Sequence, residues 1–134
     1  MDKNLAIEVI KQKFEKTDRQ VKIPLQKGGV FKAYMTNDGV IVDNLGSQSL
    51  LPWIVFEKVI NLLIRNGGRA EKGDAMNCKL GDEGLLLESI EGHIAHVVYG
   101  KQVGDSVFRR ISPIAAILVW AGLCDTGPGE LILC

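Results

Sequence analysis

The stretch from Arg109 to Leu133 constrains the fold of this chain more than any other. Arg109-Arg110-Ile111-Ser112-Pro113 reads as a basic turn leading into a helix. Ile114 to Trp120 is an unbroken apolar run, and Ala121-Gly122-Leu123 stops it. Cys124 to Leu133 then reads as a short β-hairpin whose tip is Gly127-Pro128-Gly129. A helix with no polar face must bury most of its surface. The hairpin that follows must lie close against it.

Upstream segments supply the partners for that helix. Leu5, Val9, Ile10 and Phe14 recur at helical spacing among Lys3, Glu8, Lys11, Lys13 and Glu15, predicting an amphipathic helix over 2–16 with Asp2 as its N-cap. Val21 to Leu25 alternates and carries Pro24, the pattern of an edge strand. Gly28-Gly29 and Asn37-Asp38-Gly39 divide the next residues into strands 30–36 and 40–43, so 20–44 should be a small meander. Phe31, Ala33 and Met35 fall on one face of it, under the first helix, and Val30, Lys32 and Tyr34 on the other.

Gly46-Ser47-Gln48-Ser49 is a polar joint and the expected domain boundary. Pro52 then opens a helix through Trp53, Phe56, Ile60 and Ile64, because proline is tolerated where a helix N–H has no partner. Asn66-Gly67-Gly68 closes it. Residues 69–80 read as a short helix around Glu71 to Cys78, and Ser89 as the cap of another ending at Tyr99-Gly100. The fold class is therefore α+β: a helix-plus-meander unit at 1–48, and at 49–134 a domain ending as a winged helix-turn-helix does, in a helix followed by a hairpin.

Composition restricts the function classes. Basic and acidic residues are equal at 16 each, so no global field draws the chain to nucleic acid or membrane. Residues 50–134 hold eight basic and ten acidic side chains, a net of −2. Any phosphate contact there must come from a local patch and weaken steeply with salt. The longest apolar run, Ile114 to Leu123, is too short to span a bilayer. Met1-Asp2-Lys3-Asn4 leads into an amphipathic segment and not a leader-type apolar core. With Cys78, Cys124 and Cys134 odd in number and unpaired in spacing, the expected setting is a reducing cytoplasm with free thiols.

From Leu51 to Leu133 the chain resembles the N-terminal winged-helix domain of Mrr-type restriction endonucleases. The resemblance rests on the proline-led helix 53–65, Gly67-Gly68, the segment Arg110 to Leu118, and Trp120-Ala121-Gly122-Leu123 followed by Pro128-Gly129 and an apolar strand. It implies a helix facing DNA and a hairpin wing. The family's nuclease domain, with its acidic metal site, is not expected among these residues. The wing of this chain carries Asp125 and Glu130 with no lysine or arginine. A binding module without cleavage activity is the resulting expectation.

The candidate contacts to double-stranded DNA are Lys101, Gln102, Arg109, Arg110 and Ser112, grouped around the start of the last helix. Free N–H groups and the helix dipole there favour a phosphate, and arginines add bidentate donors. The competing expectation pairs one arginine with Asp105 or Glu91 and leaves the other solvated. Base reading is disfavoured, since nothing after Ser112 on that helix can hydrogen-bond a base edge. Val119 and Trp120 instead invite self-association.

His93 and His96 share a helix, but no CxxC or HExxH accompanies them, so polar surface histidines and no metal are expected. Neither Cys78 nor Cys124 has an activating base in sequence, and no phosphate loop or GxSxG elbow occurs. The expected function is a non-enzymatic, cofactor-free, cytoplasmic DNA-associated protein. The alternative is a protein-interaction or homodimerisation module that uses the same surface without DNA.

Overall fold

The computed structural model describes residues 3–134; Asp2, the expected cap of the first helix, lies outside them. Helix α1 spans Lys3–Glu15. Ala6, Ile10 and Phe14 are fully buried at spacings of four, whereas Leu5, assigned to the apolar face from sequence, is exposed. The stripe is set by the 100° advance per residue, which puts Leu5 past the edge that Ala6 occupies. The chain then reverses sharply. Arg19 N–H bonds the Phe14 carbonyl at 2.8 Å, and Asp18 and Arg19 both take positive φ.

Strands β1 (Gln20–Pro24), β2 (Val30–Met35), β3 (Gly39–Val42) and β4 (Leu50–Pro52) form an antiparallel sheet in sequence order, with β1 at one edge as Pro24 requires. Phe31, Ala33 and Met35 are buried against α1, as the alternation predicts. Gly39 is needed where β3 meets β4, since a Cβ there would overlap the Leu51 carbonyl. The polar joint at 46–49 is the connection between β3 and β4, so this sheet continues past residue 48.

Helix α2, Trp53–Arg65, follows at once, with Pro52 extended at its N-cap. Gly68 N–H closes onto the Leu63 carbonyl at 2.7 Å, the stop that Gly67-Gly68 predicts. Val55, Phe56, Val59, Ile60, Leu62 and Leu63 are buried on α2, which packs against α1 and also against helix α3 (Ile90–Val97) and strands β5 (Arg69–Glu71) and β7 (Glu130–Leu133). One apolar core therefore runs without a break from Ala6 to Leu131.

The expected helix at 69–80 is a correction. Residues Arg69–Glu71 form strand β5, and a turn follows in which the Asp74 carboxylate accepts the Asn77 N–H at 3.1 Å. Ala70 alone of the three strand residues is buried, opposite Leu131. Such a short segment shows no periodicity of its own, and only pairing with a strand sixty residues away fixes it. Helix α3 is Ile90–Val97, capped by the Ser89 hydroxyl accepting the Gly92 N–H, and α4 is Ile111–Trp120. Strands β6 (Cys124–Gly127) and β7 (Glu130–Leu133) form the expected hairpin. They join β5 in a second antiparallel sheet of order β5-β7-β6. The protein is a mixed α+β fold.

Candidate functional site

The start of α4 is built by a carboxylate from α3. Glu91 is buried, and its Oε1 accepts the Arg110 N–H at 2.7 Å and also the Ile111 N–H. These are among the donors that a helix N-terminus leaves unpaired. Desolvation is the main cause that raises the Glu91 pKa, to about 7, and the two N–H bonds and the Arg110 charge oppose it. The position reserved by sequence for a phosphate thus already holds a carboxyl group from the protein itself.

Arg110 is the second correction. Only 5% of it is exposed. Its guanidinium lies 3.7 Å from the Tyr99 ring centroid and 4.8 Å from that of Phe108, a cation–π stack. Nη1 donates to the Phe108 carbonyl, and Nη2 donates to the Gln48 side chain in the β3–β4 connection. Nε has no partner. Arg110 ties the first sheet to α4 and is withdrawn from any polyanion. Adjacent residues do not share a face here, so the two arginines diverge.

Arg109 is exposed and donates to Ser112 Oγ at 3.4 Å. Lys101 and Gln102 are also exposed but belong to the turn after α3. The Lys101 carbonyl accepts from His96 Nδ1 at 2.8 Å, and the Gln102 N–H donates to the Asp105 carboxylate at 2.8 Å. Of the five candidate contacts, Arg109 and Ser112 share one surface with each other, while Lys101 and Gln102 do not line it.

That surface is an open cleft of about 1410 Å³. Its floor is the outer side of α4, with Ala115, Ala116, Val119 and Trp120. One wall is the end of β1 and the β1–β2 turn; the other is the β6–β7 turn together with the chain after β5. Gln26 spans the walls, its Nε2 donating to Thr126 Oγ1 and its Oε1 accepting from Lys72 Nζ at 2.9 Å. Lys27, Lys72 and Arg109 line the cleft, and so do Glu71, Asp74 and Glu130, so its charges balance. Sequence reasoning missed this cleft because it depends on the meander folding over α4. The nearest signal was the apolar pair Val119-Trp120, of which Val119 is exposed and Trp120 half-buried against Phe14.

His93 is buried, with Nε2 unpartnered, and so is not the surface residue expected; burial, then Arg65, lowers its pKa. His96 is exposed. Among the described residues no three His, Cys, Asp or Glu side chains converge on a metal position. Cys124 is buried and its thiol is pushed up to about 12, chiefly by desolvation, so it stays protonated at neutral pH. Among the described residues no helix is long and apolar enough to cross a membrane. Comparisons with protein-family models, with curated proteins and with solved structures find no match for this chain.

Proposed function

We propose that residues 53–133 form a winged-helix module that binds another protein through its α4 face, with no catalytic role. The element order α2-β5-α3-α4-β6-β7 and the strand order β5-β7-β6 support the winged-helix reading. The observation that carries the functional reading is the character of α4. Its solvent side is the exposed Val119 between the half-buried Ala116 and Trp120, set in a cleft with balanced charge. A duplex-reading helix needs hydrogen-bonding side chains and a positive surround. An apolar floor with a polar rim is what protein interfaces use.

The module's second use, contact with a phosphate backbone, keeps only Arg109 and Ser112 on the cleft, with Glu91 filling the helix N-terminus. Placing a photo-crosslinking amino acid at position 119 in cells tests the proposal. Protein adducts at 119, and none from the exposed position 41 on β3, are expected. Adducts to nucleic acid alone would overturn it.

A further inference from the structure

At the outer end of the cleft two lysines stand together. Lys72 is held by Gln26 Oε1, and burial and the neighbouring Lys27 charge both lower its pKa. Neither lysine forms an ion pair among the described residues, where the ion pairs are Arg65–Glu88 and Arg69–Glu130. Two of the three carboxylates of the cleft are engaged elsewhere. Glu130 is bound by Arg69, and Asp74 is turned to Asn77 and lies near Arg109, while Glu71 is exposed on β5 and lines the cleft beside Lys72. Lys27 and Lys72 against the single carboxylate of Glu71 leave this end of the cleft with a net charge of +1 beside an apolar floor.

The complementary surface is on the same molecule. The loop from Asp82 to Glu88 exposes Asp82 and Glu83, and then Leu86 and Leu87 at 45% and 37%. Its Gly84 reaches the rim of the cleft, where the Gly84 carbonyl accepts the Asp74 N–H at 2.8 Å. A cleft with lysines and an apolar floor thus adjoins a loop that exposes carboxylates and leucines. Surfaces that carry both halves of a contact are suited to two-fold, isologous pairing.

We propose that the occupant of the cleft is the 82–88 loop of a second copy of this chain, exchanged reciprocally, with Glu83 meeting Lys27 and Lys72 and Leu86 and Leu87 lying on Ala116 and Val119. The inference rests on the reading of the cleft as a protein-binding surface. Two-fold symmetry makes each ion pair twice.

Sedimentation velocity across a micromolar concentration series tests it, using the full chain with circular dichroism as the folding check. The wild type should dimerise. Lys72→Glu and Glu83→Lys should each weaken the dimer by roughly tenfold or more, since each removes and reverses a pair made twice. An equimolar mixture of the two variants should regain association, and Lys32→Glu on the outer side of β2 should change nothing. A monomer at every concentration, or a dimer indifferent to both reversals, overturns the inference. A monomer that still cross-links at position 119 to a different protein overturns it and leaves the module reading standing; cross-links to nucleic acid alone remove both.

Discussion

Replacing Glu91 by glutamine isolates the charge buried at the start of α4. The amide oxygen can still accept the Arg110 and Ile111 N–H groups, while the negative charge and its desolvation disappear. In the folded protein the Glu91 pKa is raised from 4.5 to about 7. The folded state thus binds this proton more tightly than the unfolded chain. Its contribution is fully present below pH 4.5 and is lost as pH rises through about 7. A shift of this size corresponds to about 3 kcal/mol between the two ends of the window. Urea unfolding of wild type and Glu91→Gln at pH 4.5 and at pH 8 measures it. Relative to the variant, the wild type should lose about 3 kcal/mol on going to the higher pH. A stability difference that is constant with pH would show that Glu91 is not a buried, desolvated carboxylate. The comparison with the variant assigns the slope to Glu91, since every other titrating group is common to both proteins.

Other substitutions separate structural from surface roles. Arg110→Ala should destabilise by about 2 kcal/mol in chemical denaturation, through the lost stack and the stranded Gln48 contact, while Arg109→Ala should stay within about 0.5 kcal/mol. Gly39→Ala should cost at least about 3 kcal/mol, because its methyl collides with backbone and not with a flexible side chain. In iodoacetamide labelling at pH 8 followed by mass spectrometry, exposed Cys134 should react quickly and Cys124 only as the protein unfolds. Equal rates at the two thiols would contradict the burial of Cys124.

Elements with strong local signals were legible in the sequence. The alternation of Val30 to Met35, proline ahead of α2, serine ahead of α3 and glycine after α4 each mark their element by backbone chemistry alone. Strand β5 was not legible, because three residues carry no period and their pairing partner lies at the other end of the module. The boundary at 46–49 marks a real loop, yet Leu50 to Pro52 extends the first sheet and Arg110 reaches back to Gln48. The site was half legible. Arg109 and Arg110 look alike in sequence, and only the aromatic neighbours Tyr99 and Phe108 decide which is buried. The role of Glu91 required knowing that α3 delivers it to the first turn of α4.

The most direct measurement is a titration of a fluorescent DNA duplex at low ionic strength, followed by anisotropy, with wild type and Arg109→Ala side by side. With a carboxylate already in the helix N-terminus and an apolar floor beyond it, no saturable binding is expected for either protein. Tight binding by the wild type that falls with salt and disappears in Arg109→Ala would contradict a protein-binding role for the α4 face.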